Sequence, residues 1–153
     1  MLQSQKSLTS MGSYLLQRAL LSLLLVTGMQ SYAQDMNNLA ARLSPMPVTA
    51  ATVKTITGEG QVRAILNGST LNISGEFSGM SSAATMAHIH QGPKAIPGPV
   101  VLRLDVSNAS NGTISGTLTL TPELISALHA ESLYIQIHSE GNPEGELRGW
   151  LTH

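Results

Sequence analysis

Apolar and polar residues alternate with a period of two over most of the chain beyond residue 50. In residues 70–77, for example, Leu71, Ile73 and Phe77 share one face of a strand, and polar side chains occupy the other face. This alternation predicts short antiparallel strands, which turn-forming residues separate from one another. The predicted strands cover residues 51–57, 61–66, 70–77, 85–90, 100–106, 113–120, 132–139 and 145–151.

Two local signals add detail to this pattern. Asn67-Gly68, between the second and third predicted strands, matches the two positive-φ positions of a type I′ hairpin turn. Thr121 and Pro122 suit the N-cap and first position of a helix, and an apolar stripe extends that helix to about Ala130. Seven or eight antiparallel strands with one short helix predict an all-β domain, either an immunoglobulin-like sandwich or a small Greek-key barrel.

The first 33 residues have the pattern of a secretory signal peptide. Basic residues precede an apolar run, and Ser31-Tyr32-Ala33 places small residues where a signal peptidase reads the chain. The run is too short to cross a bilayer, although an uncleaved anchor or a core helix is the alternative. We therefore expect cleavage after Ala33, no membrane span in the mature chain, and export to the periplasm, the cell surface or the medium.

The mature chain divides into two parts by composition. Residues 34–50 are polar and contain two prolines, which predicts an N-terminal arm or a short edge strand. Residues 51–153 form the predicted β domain. The mature chain has nine acidic and six basic residues, a net charge of −3 with neutral histidines. This charge, without a cluster of Lys and Arg, argues against nucleic acid as a partner.

Several classes of chemistry are excluded by residue content. The sequence has no cysteine, so thiolate metal sites, cysteine nucleophiles and disulfides are ruled out. It also lacks a Gly-X-Ser-X-Gly nucleophile motif and a glycine-rich phosphate-binding loop. An enzyme built on this sequence would have to depend on a metal ion, and we expect a domain that is not an enzyme.

Three histidines are the candidate metal ligands. His88 and His90 lie two residues apart on a predicted strand, so their side chains leave the same face and can converge on one ion. His138 ends another predicted strand and can project to the same rim. Three imidazoles with an open fourth position suit Zn²⁺ or Cu²⁺. A polar strand face without a metal fits the same pattern, with Ala87 and Ile89 towards the core.

Charged residues near the end of the chain are candidates for supporting roles. Glu140, Glu144 and Glu146 follow His138 closely and offer carboxylates as a further ligand or as hydrogen-bond acceptors behind the ligands. Glu146 and Arg148 lie two residues apart on the predicted closing strand. The spacing places their side chains on one face, so they are also candidates for structural pairing, either with each other or across to the neighbouring strand.

Four blocks of sequence follow one another along the chain: residues 87–93 (AHIHQGP), 98–101 (GPVV), 133–139 (LYIQIHS) and 142–149 (NPEGELRG). Together they resemble the chordin-type (CHRD) domain. The resemblance covers roughly residues 51–151 and implies an all-β, immunoglobulin-like fold in an extracellular protein. It also implies a single exported domain of the bacterial kind, mostly without assigned activity, with a protein or extracellular-matrix partner. Where the family often has Tyr-Val-Asn-Val-His-Thr, residues 134–139 of this chain are Tyr-Ile-Gln-Ile-His-Ser. The histidine of the family pattern is therefore retained as His138.

A His-X-His strand in a Greek-key barrel is also similar to copper/zinc superoxide dismutase. That enzyme needs further histidines, an aspartate for zinc and a disulfide, whereas this chain has no cysteine and no second dense histidine cluster. The first hypothesis is therefore an exported, non-enzymatic CHRD-type binding or structural module that holds copper or zinc through His88, His90 and His138. The alternative is a metal-dependent oxidoreductase with dismutase-like architecture.

Overall fold

Eight antiparallel strands close into a barrel in the computed structural model, which describes residues 36–153. Around the barrel the strand order is β1-β2-β3-β6-β5-β4-β7-β8, and β8 pairs with β1. One helix, α1, lies between β6 and β7 in the chain. The elements are β1 (Asn38–Pro45), β2 (Glu59–Asn67), β3 (Thr70–Ser78), β4 (Ala84–Gln91), β5 (Val100–Val106), β6 (Gly112–Thr119), α1 (Pro122–His129), β7 (Leu133–Ser139) and β8 (Leu147–Trp150).

This architecture confirms the predicted all-β class, with eight strands closed into a barrel and one short helix. The N-cap prediction is also confirmed, because the Thr121 hydroxyl accepts a hydrogen bond of 3.3 Å from the Leu124 amide. The described part of the chain contains no helix with the length and hydrophobicity that a membrane span requires. The predicted signal peptide and its cleavage site lie outside the described residues.

Alternation of buried and exposed positions builds the barrel. Strand β2, for example, buries every second residue from Gly60 to Leu66 and exposes the residues between them. Apolar side chains from all eight strands therefore meet inside the barrel and form one core. Strand β7 differs, because all seven of its residues are buried on both faces. Its outer face must therefore be covered by other parts of the chain.

The beginning of the domain differs from the sequence prediction. Residues 34–50 were predicted as an arm or edge strand, yet β1 lies there and pairs with β2 on one side and β8 on the other. The predicted strand at 51–57 was wrong, since that segment forms turns and leaves Val53 54% exposed. Strand β2 begins only after Gly58, whose φ of 99° turns the chain.

The hairpin between β2 and β3 is present, but its turn lies one residue further along. Asn67 pairs with Thr70, so the two loop residues are Gly68 and Ser69. Only Gly68 has a positive φ, 61°. A positive φ restricted to the first central residue is the pattern of a type II′ turn, so the type I′ prediction was wrong.

Closure of the barrel between β1 and β8 depends on Gly149. A Cβ atom at this position would collide with the Arg42 carbonyl oxygen and lie 3.0 Å from the Leu43 side chain. We expect Gly149→Ala to lower the free energy of unfolding by about 3 kcal/mol, because the two strands would have to separate. Urea denaturation measures the loss. Gly68→Ala is the control, since open space surrounds Gly68 and only its backbone angle is unfavourable, at about 1 kcal/mol. Equal losses would contradict the prediction.

Candidate metal centre

Strands β4 and β7 bring the three predicted histidines together. Ala87 and Ile89 belong to the core, so His88 and His90 leave β4 on the outer face of the barrel. His138 leaves the neighbouring β7 on the same face. One nitrogen atom from each ring lies within 4.8 Å of the others, and the ring centroids are 5.2 to 6.3 Å apart. Within residues 36–153, no other group of three potential ligands is this close together.

Two loops cover these rings, although they lie on the outside of the barrel. Each histidine is only 8% exposed. In the loop between β4 and β5, the Gly98 carbonyl accepts a hydrogen bond of 2.9 Å from His90 Nδ1. In the loop between β7 and β8, the Pro143 carbonyl accepts one of 2.8 Å from His138 Nδ1. The histidines therefore form a covered cluster and not the solvated strand face that the sequence left open.

The two carbonyl contacts determine which ring nitrogen carries the proton in His90 and in His138. A carbonyl oxygen only accepts hydrogen bonds, so Nδ1 of each ring carries the proton and Nε2 carries the lone pair. His138 Nε2 lies 3.3 Å from His88 Nδ1. His90 Nε2 is buried and has no hydrogen-bond partner among the described residues. Metal-ligating histidines usually donate their other N–H to a carbonyl or carboxylate, and both rings have this arrangement.

Burial and nearby positive charge favour the uncharged form of His88 and His90. Burial lowers the pKa of His88 below 6.5, and the charges of His138, His90 and Arg103 lower it further. Burial also lowers the pKa of His90; the hydrogen bond to the backbone opposes this shift, and the charges of His138 and Arg148 add to it. The neutral imidazole is the form that binds metals, so these two rings are ready to act as ligands at pH 7.

An aromatic and cationic stack supports His90 from one side. The Tyr134 ring lies parallel to His90 with centroids 4.9 Å apart, and Trp150 lies 4.9 Å from Tyr134. Arg148 Cζ is 5.0 Å from the Tyr134 ring centroid. The Tyr134 hydroxyl accepts a hydrogen bond of 2.9 Å from the Gly98 amide. Tyr134 therefore holds Gly98, whose carbonyl orients His90. This role of Tyr134 was not predicted from the sequence.

Glu146 and Arg148, a predicted pair, have separate partners in the structure. Arg148 donates hydrogen bonds of 2.9 and 2.7 Å from Nε and Nη2 to Gln136 Oε1. Gln136 in turn donates one of 3.0 Å to the Glu144 carbonyl, in the loop that also anchors His138. Of the two, Arg148 is therefore the residue that borders the histidine cluster. The side chains of Glu140 and Glu144 are exposed and do not belong to the cluster.

The Glu146 carboxylate is fully buried and accepts four hydrogen bonds. Its Oε1 accepts from the amides of Thr57 and Ser81, at 3.2 and 2.6 Å. Its Oε2 accepts from the Asn142 side chain, at 3.0 Å, and from the Ser139 hydroxyl. Burial alone would raise the pKa of Glu146, but the hydrogen bonds outweigh burial and hold the pKa below 4.5. This carboxylate joins three loops at one end of the barrel.

The fold and the cluster can now be compared with known proteins. The family model of the CHRD domain matches residues 39–151. The chain belongs to the CHRD family. CHRD domains are typical of secreted or extracellular proteins. The matched region of this CHRD domain begins in β1, which the sequence analysis had placed outside the domain, and contains all three histidines. No curated protein and no solved structure matches the chain.

Proposed function

We propose that this CHRD domain is an exported binding module that holds one copper or zinc ion through His88, His90 and His138. The observation that carries the proposal is the orientation of the rings. Two of them donate Nδ1–H to backbone carbonyls, which leaves their Nε2 lone pairs available within the cluster. The buried, unpaired Nε2 of His90 has an obvious partner in a metal ion.

The distances within the cluster suit such an ion. Metal–nitrogen bonds of about 2.0–2.1 Å in a tetrahedral site place two ligand nitrogens roughly 3.3 Å apart. His88 Nδ1 and His138 Nε2 are separated by 3.3 Å, so an ion can replace the hydrogen bond between them when the His88 proton moves from Nδ1 to Nε2. The nitrogen that His90 offers lies within 4.8 Å of the other two. Imidazole ligands without thiolates are typical of copper and zinc sites.

The alternative function, a dismutase-like oxidoreductase, has less support. Copper/zinc superoxide dismutase binds its second metal with additional histidines and an aspartate. In residues 36–153, only the histidine cluster brings three potential ligands together. The geometry therefore favours a module that binds one ion.

Titration of the metal-free protein with Zn²⁺ and with Cu²⁺ tests the proposal. We expect one equivalent to bind per chain, as measured by calorimetry and by metal analysis after dialysis. Failure of both ions to bind would overturn the proposal. Superoxide turnover by the copper-loaded protein would favour the oxidoreductase instead. N-terminal sequencing of the protein from its native compartment tests export, with Gln34 expected as the first residue and Met1 as the contrary result.

Tyr134 provides a test of how the cluster is oriented. We expect Tyr134→Phe to weaken Zn²⁺ binding by about tenfold, because Gly98 loses its hydroxyl partner and holds His90 less firmly. A competition titration gives the dissociation constants. Lys94→Met is the control, since it removes a 2.8 Å ion pair between the same loop and Glu131 and leaves Gly98 and the aromatic stack in place. Similar losses in the two variants would contradict a specific role for the hydroxyl.

A further inference from the structure

A methionine borders the histidine cluster on the same strand. Met86 precedes His88 by two residues on β4, and it pairs directly with His138 on β7. Residues two apart on a strand share a face, and directly opposed residues have Cβ atoms about 4.5–5.5 Å apart. The next residue, Ala87, belongs to the core, which is consistent with Met86 on the outer face. Met86 is therefore the neighbour of two of the three candidate ligands.

The environment of Met86 leaves its sulfur accessible. Met86 is 43% exposed, in contrast to the covered histidines. It lines a groove of about 400 Å³ together with His88 and Arg103. Methionine is unbranched and has three rotatable side-chain bonds, so the thioether can turn from the groove towards the rings while the backbone stays in place. The groove also gives an ion a route from solvent to His88.

We infer that Met86 supplies a thioether as the fourth ligand and that the ion this site selects is Cu(I). This inference rests on the proposed three-histidine site and names its metal. Thioether sulfur is a soft ligand that favours Cu(I), whereas imidazole alone also suits Zn²⁺.

The charges around the cluster support a monovalent ion. Three neutral imidazoles and a thioether offer no negative charge to a metal, and the cost of burying an uncompensated charge rises steeply with its size. The guanidinium of Arg148 lies over Tyr134 beside His90, and Arg103 pairs with His88 on the neighbouring strand. Both add to the cost of a second positive charge on the ion, whereas Asp105, which lines the same groove as Met86, offsets part of this cost.

The test compares two metals and two methionine variants. Cu(I) affinity is measured without oxygen by competition with bathocuproine disulfonate, and Zn²⁺ affinity by competition with a chromophoric chelator. We expect Met86→Leu to weaken Cu(I) binding by about tenfold or more and to leave Zn²⁺ binding within about twofold. Leucine preserves the side-chain volume, so the fold is expected to tolerate the change. The control is Met46→Leu; Met46 follows β1, where its amide bonds to the Glu146 carbonyl.

X-ray absorption of the Cu(I)-loaded protein gives a second readout. We expect the spectra of the wild-type protein and of Met46→Leu to contain a contribution from sulfur bound to copper. The spectrum of Met86→Leu should lack this contribution. Unchanged Cu(I) affinity in Met86→Leu, or an equal loss for Cu(I) and Zn²⁺, would overturn the role of Met86 and leave the three-histidine site standing. If the wild-type protein bound neither metal, the proposed function itself would fail.

Discussion

Replacing His88 and His138 together with alanine is expected to remove all metal-dependent stabilisation of the domain. A metal that binds only the folded protein adds about 2.7 kcal/mol at 100 times its dissociation constant. For a domain of this size, that corresponds to an increase in Tm of roughly 10 °C. The double variant keeps only His90 of the cluster and cannot hold the ion, so its Tm should be the same with and without metal.

Thermal unfolding with and without Zn²⁺ measures this effect. The matched control is the double replacement of His129 and His153, whose rings lie 6.5 Å apart outside the cluster. The control variant should keep the full metal-dependent increase in Tm. Retention of the increase by the His88 and His138 variant, or its loss in the control, would show that metal binds elsewhere.

Glu146→Ala is expected to have the largest effect on folding itself. The change removes four hydrogen bonds from a fully buried carboxylate and leaves the amides of Thr57 and Ser81 without acceptors. Each buried donor left unpaired costs about 1–3 kcal/mol, so we expect a loss of about 3 kcal/mol or more in the free energy of unfolding. Urea denaturation at neutral pH measures it.

Glu144→Ala is the matched control for this prediction. Glu144 lies two residues earlier and carries the same charge, but its side chain is exposed. Its replacement should change the free energy of unfolding by less than about 0.5 kcal/mol. Comparable losses in the two variants would mean that the buried hydrogen bonds of Glu146 contribute little.

Glu146 also links stability to pH. Its pKa is held below 4.5 in the folded protein and returns to the ordinary value when the chain unfolds. Because the folded pKa is the lower of the two, the stabilisation is complete above about pH 4.5 and is lost as the pH falls through the folded value. Glu146→Gln removes this titration, so its stability should decline less steeply than that of the wild type below pH 4.5. Parallel curves in denaturation at pH 3 to 6 would contradict this.

The alternation of residues was enough to place two candidate ligands but not the third. His88 and His90 share a face because of the period of a single strand, a purely local property. The approach of His138 depends on the pairing of β4 with β7, although β5, β6 and α1 separate them in the chain. The order of the sequence blocks indicated a family, whereas the register that sets His138 opposite Met86 is visible only in the structure.

Burial of the histidines could not be predicted for a similar reason. Alternation separates the inside of a barrel from its outside, but it does not say which loops fold over the outer face. The loops that contain Gly98 and Pro143 do so here. Glu146 and Arg148 do not pair with each other, because Gly145, with a φ of 122°, turns the chain just before Glu146, and β8 begins only at Leu147. Arg148 instead pairs across to Gln136 on β7, the other arrangement that the sequence allowed.

The first strand was predicted at most as a short edge strand, although it pairs on both sides in the barrel. Leu39, Ala41 and Leu43 are buried, and the exposed residues Ala40 and Arg42 lie between them. The polar composition and two prolines of residues 34–50 outweighed this short pattern. In residues 51–57 the alternating positions are mainly threonines, which bury too little apolar surface to hold a strand in the barrel.

The anchoring of two histidines by main-chain carbonyls has a consequence for how this domain can change during evolution. Backbone oxygens are present whatever the side chain, so the loops over the cluster can exchange most of their residues while the ring orientations persist. Three glycines are exceptions. A Cβ atom at Gly98 would collide with the Gln91 carbonyl, one at Gly92 with the Ile96 carbonyl, and one at Gly145 with the Gln136 side chain. Variation in these loops can therefore alter the outer surface and its binding preferences without redesign of the histidine cluster beneath.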